Sequence, residues 1–586
     1  MIHRQLSSRF YMHASFPAAR FRQQHSQAAR SSPNSSSEQG SVSGGRLLTR
    51  DFIAKSLYNQ DNGYFSTKDV INDLPGPLEF RNMMGELHYR MDVKQAYQSK
   101  LSAWMTPVET FSPHFSHALA RFIVKEAKKV SAASASSASS SARARHEAGG
   151  GALPLKLPRQ QRRRNKGAAD GGRKEEIIVL YEAGGGTGTN ALNVLDWLQR
   201  EEPKLYERTE YTIIEISPRL AELQRERVCT AHENCRVVNA NVLEWGMSGE
   251  IDPRPCFFMG MELLDNLPHD KIAWVAPSYQ GVLGENGAAA LSKSSSSCPE
   301  EGTSENSDLQ LCEAMVVQTP DGGGFREVFQ PLQDPLIREL LAICPELATA
   351  VRNRKEPLAS SGAAESIPVS LGRTFAKFFG AVSGLGGGGA LLLPEHSAAF
   401  VPTGSLRLMQ ALRERLPRHR AILADFDSFA GSAEAVGAGD AAPGSGTGDP
   451  GGPDEAAAVA AAAVANDESL MAFQAPIVSS RNPSTGSVTD HGTYMVPLGS
   501  ADIFFPTCFE RLSRLHAAVC RNRGGAGGGD CDGEVVRRAK GLVVKQGEFL
   551  REFADLRATR TFSGFNPLVD DFRNSSVFLS GAVIAS

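Results

Sequence analysis

Ile177-Ile178-Val179-Leu180-Tyr181 leads directly into Glu182-Ala183-Gly184-Gly185-Gly186-Thr187-Gly188-Thr189, and no other stretch of the chain restricts its fold as strongly. A continuous apolar, β-branched run is expected of a strand covered on both faces. The glycines allow a turn that side chains would obstruct. Beyond the turn, Leu192, Leu195 and Leu198 recur at helical spacing. A second strand is expected over 211–216 with Glu215 near its end, followed by a charged helix over 218–228. A third strand is expected at 236–239, and a fourth at 257–259 that opens onto Glu262-Leu263-Leu264-Asp265. Strand, glycine loop, helix, strand, helix, strand is the order of an α/β, Rossmann-like, doubly wound sheet. Such sheets bind ligands beyond the carboxyl ends of their strands, where Glu182, Glu215, Asn241 and Glu262 fall.

Two ligand classes fit the loop. Gly186 to Ala191 reads as the G-x-G-x-x-A form of a dinucleotide site, and Glu182, Gly184, Gly186 and Gly188 read as E-x-G-x-G-x-G. The second is the form that takes S-adenosylmethionine (SAM). A pyrophosphate at the helix start would be repelled by a carboxylate a few residues away. SAM carries cationic ammonium and sulfonium groups, which a carboxylate attracts. Glu182 therefore favours SAM, placed near its amino group, with Glu215 as acceptor for the ribose hydroxyls.

The chain has 586 residues, with 56 glycines and 32 prolines concentrated in low-complexity stretches at 1–45, 131–173, 285–307, 430–466 and 521–534. What remains suffices for a helical region over 46–130 and a core over 174–586. The net charge of −3 argues against a nucleic-acid-binding surface. No uncharged apolar run approaches the roughly 18 residues of a membrane span. Nine scattered cysteines without a CxxC pair argue against a disulfide framework. Cys229, His232 and Cys235 lack zinc spacing and a second ligand pair, so no metal is expected.

From Met1 to Ser37 there are five arginines, nine serines and no acidic residue. That composition predicts a mitochondrial or plastid transit peptide.

Several blocks resemble the MidA-like family of mitochondrial complex I assembly-factor methyltransferases. They are LTRDFIAKSLYNQDNGYFS (48–66), MTPVETFSPHF (105–115), YEAGGGTGTNAL (181–192), YTIIEISPRL (211–220), GMELLDNLPHDKI (260–272), AILADFDSF (421–429), DHGTYMVPLGSADIFFPTCFERL (490–512) and SGFNPLVDD (563–571). The order of the blocks is more specific than any one of them. Where the family has Asn before the Glu of its N-E-L-L-D-x-L-P block, this chain has Met261.

The resemblance implies a protein arginine methyltransferase of the mitochondrial matrix, using SAM and acting on a complex I subunit. A guanidinium stays cationic at physiological pH and must approach a second cation. Carboxylates that fork it offset the repulsion and accept the released proton. Glu262 and Asp265 are the expected catalytic pair. The ordinary alternative for both is an acidic helix start. Asp425, Glu109 and Ser112 are weaker candidates, and His269 and His491 read as structural. Two other functions compete: an NAD-dependent oxidoreductase, and a non-catalytic assembly chaperone that retains a SAM pocket.

Overall fold

The computed structural model describes residues 45–71, 74, 76–99, 104–129, 177–245, 250–275, 309–353, 398–428, 476–521 and 541–581. The expected transit peptide and the inserts at 131–173, 285–307 and 430–466 lie outside the described residues, as does nearly all of 521–534.

Seven strands form the central sheet: β1 Ile178–Ala183, β2 Thr209–Glu215, β3 Cys235–Asn239, β4 Cys256–Met261, β5 His419–Phe426, β6 Leu542–Lys545 and β7 Ser575–Leu579. Their spatial order is β3-β2-β1-β4-β5-β7-β6. The first five are parallel. β7 runs antiparallel to both β5 and β6. The sheet is Rossmann-like, with one reversed strand inserted near an edge.

Both faces of β1 are covered, as its composition predicts. Ile178 and Leu180 join one apolar cluster, together with Val194, Leu195 and Leu198 of helix α1 (Thr189–Glu201) and Leu119, Phe122 and Ile123 of a helix over 114–129. Val179, Tyr181 and Ala183 point the other way. They meet the cluster of α2 (Thr403–Arg415) and α3 (Phe509–Arg521), which contributes Leu406, Leu412, Leu512 and Leu515. Each such large apolar side chain stabilises the fold by about 1.5–3 kcal/mol when buried.

Two smaller sheets were not foreseen from sequence. A five-stranded antiparallel sheet contains Asp270–Val275, Gln310–Gln318 and Ala398–Val401, all inserted between β4 and β5. A three-stranded sheet of Ile477–Arg481, Val488–Asp490 and Asp502–Phe504 lies between β5 and β6 in sequence. The helix Thr49–Tyr58 packs against both, with Phe52, Ile53 and Leu57 meeting Val316, Phe400, Ile503 and Phe505. Arg50 anchors it, donating to Asp270 at 2.7 Å and forking Asp334 at 2.9 and 2.6 Å. Within the described residues, the N-terminal region is thus built into the core instead of standing apart from it.

Candidate active site

Strand order reverses at β1, and sheets of this kind bind their ligands in the crevice outside the strand ends at such a switch point, here between β1 and β4. The glycine loop closes one side. Gly184, Gly186 and Gly188 have φ of +68°, +55° and +86°, values that glycine adopts freely. A Cβ at Gly186 would stand 3.2 Å from Ile71 Cδ1, and one at Gly184 would stand 3.3 Å from Leu263 Cδ1. The conformation therefore favours glycine here, and a side chain would also press on Ile71 and Leu263. Ile71 belongs to the N-terminal region, which walls the loop from above.

The same region supplies Glu109, buried beside the helix start. Its carboxylate accepts from Thr187 Oγ1 at 2.5 Å and Thr189 Oγ1 at 3.0 Å. Ser112 Oγ accepts from Asn193 Nδ2 at 2.9 Å. Glu182 is placed differently from the sequence expectation. Its two oxygens accept from Asn190 Nδ2 at 2.9 Å and the Tyr211 hydroxyl at 2.7 Å, bracing β1 against α1 and β2. Glu215 accepts from Ser217 N at 2.9 Å and Gln224 Nε2 at 3.1 Å. Gln224 also donates to the Gly186 carbonyl at 2.8 Å, so it joins Glu215 to the loop. Asn241 accepts from Leu243 N at 3.0 Å and donates to Glu244 at 3.1 Å, which makes it a turn cap at the end of β3.

The other side of the crevice is the turn after β4. No helix starts there, so the acidic-helix-start alternative does not describe it. Glu262 has φ of +51°, a left-handed conformation in a residue with a side chain. Holding it costs on the order of 1–3 kcal/mol, which neighbouring contacts must offset. Glu262 N donates to the Ala424 carbonyl at 2.9 Å. Asp425, near the end of β5, accepts from Leu264 N at 2.7 Å and Asp265 N at 3.1 Å. Asp502 accepts from Asn266 Nδ2 at 2.8 Å. The Tyr58 hydroxyl donates to the Asn266 carbonyl at 2.9 Å. Met261, where the family has Asn, is 8% exposed and packs into the apolar cluster around α1.

Carboxyl groups crowd this end of the sheet. Burial, then the like charge of Asp425, holds Glu262 and Asp265 well above the ordinary carboxylate range. Glu109 adds to the effect at Glu262. Burial pushes Glu215, Asp425 and Asp502 up to about 7 against the hydrogen bonds they accept. Three buried acceptors around the crevice, Asp265 Oδ1, Asn190 Oδ1 and Gln224 Oε1, have no hydrogen-bond partner among the described residues. The site is rich in carboxyl oxygens whose ionisation is held back by burial and mutual repulsion, and it is suited to a guest whose donors and positive charge would favour their ionised form.

Residues 168–438 match the model of a family described as "Putative S-adenosyl-L-methionine-dependent methyltransferase". The cofactor is SAM. The Rossmann-like sheet is a SAM-dependent methyltransferase fold. Among solved structures, this methyltransferase is similar to a COG1565 superfamily member from Burkholderia thailandensis bound to S-adenosyl-homocysteine. The two share 15% identity over 92% of this chain and 89% of that one, with a TM-score of 0.42. It is also similar to the DszA carbon methyltransferase, at 19% identity over 16% of this chain and 23% of that one, with a TM-score of 0.14. No curated protein matches it.

The residues present fit SAM. The left-handed glycines leave the loop backbone bare for close approach, and Glu215 stands at the strand end where ribose hydroxyls are held. Glu215 suits the ribose of either ligand class, whereas Glu109, bonded to Thr187 and Thr189 at the helix start, would repel a pyrophosphate and counts against the dinucleotide alternative.

Asp502, Tyr58 and Gln224 went unnoticed as site residues in the sequence. Asp502 and Tyr58 lie within blocks that carry the family resemblance, yet nothing in their spacing singles them out. Only the docking of the helix Thr49–Tyr58 and the three-stranded sheet against the turn brings them together.

Proposed function

We propose that this methyltransferase transfers a methyl group from SAM to an arginine side chain of a protein. The observation that carries the reading is Asp265 Oδ1, buried without a partner among Glu262, Asp425 and Asp502, across the crevice from the glycine loop. Bound SAM supplies an electrophilic methyl group on a cationic sulfur. The chain's own residues then have three tasks. Glu262 and Asp265 hold the guanidinium N–H groups, which turns the lone pair of the remaining nitrogen toward the methyl group. The cations beside them favour their ionised form, and that charge offsets the approach of two cations. Their raised pKa makes one of them an able acceptor for the proton that the methylated nitrogen releases. Asp425 positions both through the backbone of the turn.

The blocks resembling complex I assembly factors favour a respiratory complex I subunit as substrate. The arginine-rich, acid-free segment from Met1 to Ser37 favours the mitochondrial matrix. Purified chain, labelled SAM and a mitochondrial extract should give label in methylarginine of a complex I subunit. Label in another amino acid would overturn the arginine reading, and SAM binding without any transfer would favour the assembly chaperone. A reporter carrying residues 1–45 should reach the matrix; a cytosolic reporter would overturn the localisation.

A further inference from the structure

At the opposite end of β5 from Asp425, about 20 Å away at 3.3 Å per residue, three side chains converge. His516 and Cys520 stand one turn apart on α3, and His419 is the first residue of β5. His419 Nε2 lies 3.1 Å from His516 Nε2, and Cys520 Sγ lies 3.7 Å from the same nitrogen. All three ligand atoms fall within 4.8 Å of one another. Tetrahedral zinc, with bonds of roughly 2.0–2.1 Å to nitrogen and 2.3 Å to sulfur, sets adjacent ligand atoms about 3.3 and 3.6 Å apart. The two closest separations match those edges.

The supporting contacts are those of a ligand set. His419 Nδ1 lies 2.8 Å from the Leu416 carbonyl, which can only accept, so the ring proton is on Nδ1 and Nε2 presents its lone pair. A backbone carbonyl on the far nitrogen is the usual support of a metal-binding imidazole. The two imidazole planes are perpendicular, and Phe578 packs edge-on against His516 from below. His516 is buried, whereas His419 and Cys520 are partly exposed.

We propose that His419, His516 and Cys520 hold a zinc ion, with solvent in a fourth position, pinning α3 to the start of β5. Binding breaks the Cys520 S–H bond and forms a thiolate–zinc bond. The proton goes to solvent, the imidazoles bind as neutral donors, and nothing is oxidised or reduced.

The test uses the full chain without a histidine tag, stripped of metal by a chelator and titrated with zinc alone, then with cobalt(II). One equivalent of zinc should bind and raise Tm, and cobalt should give a thiolate charge-transfer band. Cys520→Ser should abolish that band, and both Cys520→Ser and His419→Gln should weaken zinc binding at least tenfold. Neither should change the Tm gain produced by S-adenosyl-homocysteine, whose site lies elsewhere. Absence of stoichiometric binding would overturn the proposal and leave the two imidazoles sharing a hydrogen bond. Equal zinc affinity in wild type and both variants would also overturn it, placing the ion at another site.

Discussion

Asp425 accepts hydrogen bonds from the amides of Leu264 and Asp265, so a carboxylate at the end of β5 sets the backbone of the turn that carries Asp265. Both bonds point an N–H at the same oxygen, Oδ2, and the other oxygen accepts from Phe426 N at 2.8 Å. All three are acceptor roles. Asp425→Asn would face an amide N–H with an NH₂ group at one of them. Methyl transfer should fall about tenfold or more, with SAM affinity changed less than twofold, because the glycine loop is untouched. Steady-state kinetics with saturating SAM decide it; unchanged kcat would detach this turn from the reaction.

Glu262 is the sharpest test of the acceptor pocket. Glu262→Gln keeps the shape and one acceptor oxygen but removes the charge that offsets two approaching cations. A contact of this kind is worth about 3 kcal/mol in the transition state, on the order of a hundredfold in rate. SAM affinity measured by calorimetry should stay close to that of wild type. If transfer continues unimpaired, the guanidinium is held elsewhere.

Gly186→Val should abolish SAM binding and leave the fold largely intact. The φ of +55° strains any other residue, and the first added carbon already meets Ile71 at 3.2 Å. Left-handed backbone costs a β-branched residue more than the 1–2 kcal/mol typical of others. The comparison is SAM titration against the circular dichroism of the variant. A folded variant with wild-type affinity would remove the loop from the site.

Stability should depend on pH in a direction set by the raised carboxyls. Glu215, Asp425 and Asp502 are pushed up to about 7, whereas the unfolded chain loses these protons near pH 4. Between about pH 4 and pH 7 the folded protein holds protons that the unfolded chain has released. These groups therefore subtract stability from the ligand-free protein as pH rises. Bound cations reverse part of that loss. SAM should raise Tm more at pH 8 than at pH 5.5, and S-adenosyl-homocysteine, without the sulfonium charge, should show a smaller pH effect. A SAM-induced gain that ignores pH would exclude ionised carboxylates from the site.

Arg50→Ala should destabilise the protein by about 3 kcal/mol, since it leaves Asp270, 0% exposed, without its cation. Urea unfolding measures it, and Arg50→Lys should recover only part because it cannot fork Asp334. A loss below about 1 kcal/mol would show that Thr403, which donates to Asp270 at 2.7 Å, carries the anchor instead.

What the sequence determined by itself is the local grammar of the sheet. Ile178 to Ala183 could only be a strand covered on both faces, the glycines after it could only be a bare turn, and Leu192, Leu195 and Leu198 set a helix behind them. Those are short-range consequences of side-chain shape and period, so they are legible residue by residue. Asp425 and Asp265 are 160 positions apart, and Glu109 is 78 positions from Thr187. No periodicity links such pairs. Glu182, read from the motif as facing the ligand, is turned instead toward Tyr211 and Asn190, because strand alternation and the packing of α1 decide which way a side chain points. The same holds for His419 and His516, 97 positions apart in sequence with their Nε2 atoms 3.1 Å from each other. Charge and desolvation depend on which groups meet, and only the packing of three sheets brings these together.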